Sequence, residues 1–127
     1  MIKPFHLSFL AIDKEETKNF YLETLDCTLG RDSRMWCDVI FFGHQITVHQ
    51  ASRVSQCQSI DHFGVILSRD EWSTYLRKIK SKGIPFIQSP VSQNQGKHCE
   101  SGKFSINDPC GNIIEFKYYS ESINQNI

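Results

Sequence analysis

Three histidines and one glutamate are the residues of this chain best placed to do chemistry. His6 lies in Phe5-His6-Leu7-Ser8-Phe9, His49 in Ile46-Thr47-Val48-His49, His62 in His62-Phe63-Gly64-Val65-Ile66, and Glu115 in Ile113-Ile114-Glu115-Phe116. Each is a polar group inside an apolar run, where it is costly unless it has a partner. Neutral imidazole and carboxylate are donors for a divalent ion such as Fe, Mn, Zn, Ni or Co, and they need little deprotonation at neutral pH. Two imidazoles and one carboxylate suffice to hold such an ion and leave positions open for water or substrate. The chemistry would then be Lewis-acid polarisation of oxygen atoms on a small molecule. His49 has several roles open to it: a fourth ligand, an acid/base, or a substrate contact. His44 and His98 fall in a turn and a loop and are read as ordinary hydrogen-bonding histidines.

Whether these groups can meet depends on the elements that carry them. Alternate side chains of a strand share one face. In the strand read at 5–12, His6, Ser8 and Leu10 point one way and Phe5, Leu7 and Phe9 the other. In the strand read at 61–67, His62 and Gly64 point one way and Phe63, Val65 and Leu67 the other. The same parity groups Thr47 with His49 in Gln45–Gln50, and Glu115 with Lys117 in Ile113–Tyr118. His6, His49, His62 and Glu115 can therefore share one face, with the fully apolar face left to pack on a helix.

The helices are signalled by their caps. Asp13-Lys14-Glu15-Glu16 starts one, with Thr17, Phe20, Tyr21 and Thr24 on one side and Leu25 beside them. Ser68-Arg69-Asp70-Glu71 is a capping box, and Trp72, Tyr75, Leu76 and Ile79 form the apolar stripe of a second helix that Gly83 and Pro85 end. Strands are further expected at 28–32, 35–42, 85–89 and 103–107, with a turn at Gly43-His44, a polar linker at 51–59, a polar loop at 90–102 and a frayed tail from Ser120. Asp108-Pro109-Cys110-Gly111-Asn112 is turn chemistry before the last strand. The order β-α-β-β-β thus occurs twice, at about 4–50 and about 60–119. Two such units can bury together what neither buries alone.

Composition narrows the function. The 127 residues allow one domain with a substantial core. Fourteen basic and fourteen acidic side chains cancel, which removes a general attraction to nucleic acid or anionic membrane. No apolar run approaches the roughly 20 residues of a membrane span, and Met1-Ile2-Lys3-Pro4 does not open a signal peptide. A cytoplasmic location is expected. The five cysteines are odd in number and have no Cys-x-x-Cys spacing, so they read as reduced thiols rather than as a zinc or disulfide framework.

The doubled unit, with His6 and His62 opening its halves and Asp108-Pro109-Cys110-Gly111-Asn112-Ile113-Ile114-Glu115-Phe116 closing it, resembles the vicinal oxygen chelate superfamily. That group includes glyoxalase I, extradiol dioxygenases, and fosfomycin and bleomycin resistance proteins. The resemblance covers about residues 4–119. It implies an α+β fold in which two βαβββ modules form a cupped, paired β-sheet in a single domain, with a helix outside each half. It also implies a divalent metal ion held by His6, His62 and Glu115, resembling the two-His-one-Glu site of the dioxygenases.

The glyoxalase I pattern expects a further glutamate in the last strand of the first half. Here that strand is Gln45-Ile46-Thr47-Val48-His49-Gln50. The resemblance therefore points to a metal-dependent enzyme on a small oxygenated substrate, dioxygenase-like rather than a true glyoxalase I, with His49 as catalytic group and Tyr118 or Tyr119 as helper. The extra domain of the large extradiol enzymes is missing, so catechol cleavage is not implied. The alternative is a metal-independent drug-binding protein of the bleomycin-resistance type, with Trp36, Phe42 and Phe104 as aromatic walls. A homodimer is expected, through an apolar edge near Phe5 or Phe41-Phe42.

Overall fold

A computed structural model describes residues 4–53 and 60–121 of the chain. The elements run β1 (His6–Ala11), α1 (Lys14–Glu23), β2 (Thr28–Asp32), β3 (Trp36–Phe41), β4 (His44–Gln50), β5 (Phe63–Leu67), α2 (Arg69–Ser81), β6 (Phe86–Gln93), β7 (Ser101–Asn107) and β8 (Ile113–Tyr119). The fold is α+β, with β-α-β-β-β occurring twice. Two compact units result. Unit 1 takes the described residues up to Ile60 and the turn Asp108–Gly111; unit 2 takes Asp61–Asn107 and the described residues from Asn112 onward. The linker positions 54–59, Cys57 among them, and the tail beyond 121 lie outside the described residues.

In unit 1 the strand order is β1-β4-β3-β2, with β1 parallel to β4 and the other pairs antiparallel. α1 covers one face of this sheet. Asp13 caps it by accepting from the Glu16 amide, as the sequence predicts. Tyr21 and Leu25 are buried, and so are the alternate strand residues Phe9, Ala11, Cys37, Val39, Phe41, Ile46 and Val48. Burying each large apolar side chain contributes about 1.5–3 kcal/mol. Lys14 departs from the amphipathic reading of this helix: it is buried, with its ammonium 2.8 Å from Asp32 Oδ1 and 2.7 Å from Glu15 Oε2. The β3–β4 turn is a two-residue hairpin in which Phe42 and Gly43 both have positive φ, 49° and 83°.

Unit 2 repeats the arrangement as β5-β8-β7-β6. The capping box at the start of α2 forms as predicted, with Ser68 and Glu71 each bonded to the other's amide. Trp72 and Ile79 are buried, and Tyr75 and Leu76 are half-buried. Phe104 stacks on Phe116 at 4.9 Å, and Trp72 Nε1 donates to the Phe116 carbonyl at 2.9 Å. Phe104 is thus a core residue, not a wall of a ligand cleft. β6 is longer than predicted and runs through Pro90 to Gln93. It is the edge strand, so the amide that Pro90 lacks removes no ladder bond, and the register shifts between Gln88 and Val91 absorb the irregularity. Among the described residues no helix is long and apolar enough to cross a membrane.

Candidate functional site

In unit 2, Ile114, Phe116 and Tyr118 of β8 are buried while Ile113, Glu115 and Lys117 are half-buried, so the last three lie on the face away from α2. Register aligns that face into rows. Ser105, Glu115 and Gly64 form one, and Lys103, Lys117 and Ile66 the next. His62 immediately precedes β5 instead of lying within it, and it is exposed. Its Nδ1 lies 2.6 Å from Asp61 Oδ2. A carboxylate only accepts, so Nδ1 carries the proton in this contact and Nε2 presents its lone pair. His62, Gly64, Ile66, Glu115 and Lys117 all line one cavity of about 270 Å³. Lys117 Nζ is 3.5 Å from Glu115 Oε1.

Gly64 has a steric role in this arrangement. A Cβ at this position would stand 1.7 Å from the Glu115 carbonyl oxygen. The small residue two positions after His62 is what allows β5 to lie against β8 at Glu115.

In unit 1, His6, Ser8 and Leu10 share the face away from α1, paired with Gln45, Thr47 and His49 of β4. Ser8 stands beside Thr47 as Gly64 stands beside Glu115, and the histidines precede each by two. Thr47 is therefore the counterpart of Glu115, and His49 is the counterpart of Lys117. His49 pairs with Leu10, four residues beyond His6, which separates the two imidazoles by about 13 Å at the rise of a strand. Unit 1 thus places His6 and His49 on one face without bringing them together.

Asp38 occupies the centre of this face and is not among the residues that the sequence reading singles out. Its carboxylate is buried, accepting from Thr47 Oγ1 at 2.7 Å, Arg31 Nε at 2.6 Å and Gln45 Nε2 at 3.1 Å. Burial works against its charge, but Arg31 and the Thr47 and Gln45 hydrogen bonds outweigh it and hold the carboxyl below its ordinary range. The Arg31 guanidinium in turn lies 4.7 Å over the Trp36 ring. A signal exists in the sequence, since Asp38 interrupts the apolar run Trp36-Cys37-Asp38-Val39-Ile40 as Glu115 interrupts its own.

Of the two tyrosines, Tyr119 lines a cavity on the face of unit 2 away from α2, while Tyr118 is buried and donates to Glu100 Oε2 at 2.6 Å. His44 opens β4 and accepts the Phe5 amide at 2.7 Å. His98 lies in a loop, 3.5 Å from Glu121.

Imidazole nitrogen and carboxylate oxygen suit Fe, Mn, Zn, Ni or Co, and the orientation of His62 by Asp61 is the usual support of a metal-binding imidazole. Within either unit, among the described residues, no three His, Cys, Asp or Glu side chains gather on their own. Unit 2 offers two such donors in one cavity, His62 and Glu115.

No functionally curated protein matches the chain. Solved structures do. A glyoxalase/bleomycin resistance protein/dioxygenase from Alicyclobacillus acidocaldarius is 31% identical, with 94% of this chain and 92% of that one covered and a TM-score of 0.78. The fosfomycin resistance protein FosX from Listeria monocytogenes shares the fold over all of both chains, at 16% identity and a TM-score of 0.74. Lactoylglutathione lyase from Agrobacterium tumefaciens shares it over 93% of this chain and 94% of that one, at 12% identity and a TM-score of 0.72. The family model for the glyoxalase/bleomycin resistance protein/dioxygenase superfamily matches residues 3–116. With that match and the doubled β-α-β-β-β architecture, the chain belongs to the glyoxalase/bleomycin resistance protein/dioxygenase superfamily.

Proposed function

We propose that this protein is a metal-dependent enzyme acting on a small oxygenated molecule, with His6, His62 and Glu115 holding a divalent ion. The observation that carries the reading is the pairing of His62 and Glu115 on one cavity, with Asp61 2.6 Å from His62 Nδ1. His6 holds in unit 1 the place that His62 holds in unit 2, and it is the third donor in this reading. When bound, the ion would act as a Lewis acid toward two neighbouring oxygens of the substrate. Glu115 and the two imidazoles bind; Asp61 orients His62. His49, exposed on the His6 face, is assigned the proton-handling role that imidazole can fill near neutral pH. Of the two tyrosines, Tyr119, which lines a cavity rather than being buried, is the one assigned the helper role.

Thr47 supports dioxygenase-like over glyoxalase I chemistry. It stands where a second glutamate would mirror Glu115, and its hydroxyl is committed to Asp38. This reading includes a homodimer. Phe5, 65% exposed beside the edge strand β1, supports the expected contact, and sedimentation at rising concentration tests it.

The deciding experiment is calorimetric titration of chelator-stripped protein with Mn²⁺ and Zn²⁺. Glu115→Ala and His62→Ala should each lose the metal while keeping the far-UV circular dichroism of the parent. Full metal retention in Glu115→Ala would remove the reading. Binding of small oxygenated ligands that survives exhaustive chelation would favour a metal-independent binding protein instead.

A further inference from the structure

β8 carries three polar side chains at two-residue spacing, Glu115, Lys117 and Tyr119. Strand parity puts them on one face, with neighbours about 7 Å apart along the strand. A lysine stem can lean toward either neighbour. Lys117 lies between both: its Nζ is 3.5 Å from Glu115 Oε1 and 5.3 Å from the centre of the Tyr119 ring. The adjoining strands add a bias. Lys103 stands opposite Lys117 on β7, and like charges so placed repel. Ile66 stands opposite it on β5 and has no polar side-chain atom. Attraction to Glu115 and repulsion from Lys103 therefore act together on the Lys117 ammonium.

Glu115 is also a donor in the metal-enzyme reading, on one cavity with His62 and Lys117. An ammonium and a divalent ion carry charge of the same sign. Both on one carboxylate would repel strongly here, because 19% of the Glu115 side chain and 35% of the Lys117 side chain are exposed, and partial shelter from water weakens screening.

We propose that Lys117 is the built-in counter-ion of Glu115, that a divalent ion must displace it to bind, and that Tyr119 receives the displaced ammonium over its ring. The ammonium keeps its proton and only its stem moves. One cation stays on Glu115 before and after the exchange, so the carboxylate is never left sheltered and unpaired. The Tyr119 ring offers the departing ammonium a cation–π contact. Lys117 is thus a positioning residue that sets how tightly the site holds its ion. This role for Lys117 rests on the metal-enzyme reading of His62 and Glu115.

The test is calorimetric titration of chelator-stripped protein with Mn²⁺ and Zn²⁺. Lys117→Gln and Lys117→Met should each bind about tenfold more tightly than the parent, the effect of removing one like charge beside the ion. Lys117→Met keeps the apolar stem, so it carries the test if the glutamine variant fails to fold. Lys117→Arg keeps the charge and should stay near the parent. Lys103→Gln removes a charge from the same face without touching Glu115 and should change affinity much less. In the parent, Zn²⁺ should shift the Tyr119 ring resonances; in Lys117→Met it should not. Neutral variants that bind no tighter than a metal-binding parent would overturn the exchange and leave the metal reading standing. Equal tightening in Lys103→Gln would also overturn it, since a general charge effect would then suffice. If neither the parent nor the neutral variants bind either ion, the metal reading falls and the exchange falls with it.

Discussion

Thr47 Oγ1 donates to Asp38 Oδ1 at 2.7 Å, at the position in unit 1 that corresponds to Glu115 in unit 2. One carboxylate at a sheet centre is thereby consumed internally, by Thr47, Arg31 and Gln45. The other lines a cavity with an imidazole. The duplicated architecture has become chemically unequal through these two strand positions.

Asp38→Asn should destabilise the protein by about 1–3 kcal/mol, because an amide nitrogen would then face the Arg31 and Gln45 donors. The pH dependence has a definite sign. The Asp38 carboxyl is held below its ordinary value of 3.8, so its stabilisation is complete above that value and is lost as pH falls below it. Urea unfolding from pH 6 down to about 2.5 should give a flatter acid limb for the variant than for the parent. Identical acid limbs would show that the Asp38 network contributes nothing to folding.

Tyr21→Phe should cost about 1.5–3 kcal/mol, since the buried phenol donates at 2.8 Å to Asp108 Oδ2 in the turn that precedes β8. Burial, and then Asp108, push the phenol well above its ordinary value of 10.0. Its contribution is therefore present below that value and fades as pH climbs above it. Spectrophotometric alkaline titration should find one tyrosine fewer ionising late in Tyr21→Phe. An unchanged late phase would contradict the contact.

Gly64→Ala should cost about 3 kcal/mol or more, because the new methyl group meets the Glu115 backbone at 1.7 Å and a backbone contact cannot yield as a side chain does. Denaturation measures the loss. Hydrogen exchange should localise it to the β5–β8 ladder, from Phe63 to Leu67. Near-native stability would mean that β5 can shift away from β8 at little cost.

Cysteine alkylation should divide the free thiols of the described residues by burial. Cys99 is exposed and should label quickly under native conditions. Cys27 is buried, and burial followed by the neighbouring Asp26 pushes its thiol up to about 12, so almost no thiolate is present near neutral pH. Peptide mapping should find Cys27 labelled only in denaturant. Rapid native labelling there would refute the packing of the α1–β2 connection.

Much of this could be read along the chain because it depends on near neighbours. Both helix starts follow from a side chain and an amide three residues apart, Asp13 with Glu16 and Ser68 with Glu71. Strand parity assigned Glu115, Lys117, His6 and His49 to the faces turned away from the helices, since period two needs only the strand itself. The superfamily followed from the repeat and its closing motif.

Tertiary structure decided whatever depends on position along a strand. Parity put His6 and His49 on one face, but only the β1–β4 ladder, joining residues about forty positions apart, sets them four residues out of step. The same ladders make Thr47 the counterpart of Glu115 and set Lys103 against Lys117. Pro90 reads as loop because a missing amide is costly inside a sheet, and only the strand order shows that β6 is an edge. Asp38 and Glu115 look alike in sequence, each a carboxylate within an apolar run. What separates them is register, which gives Asp38 three donors from β2 and β4 and gives Glu115 a cavity shared with His62.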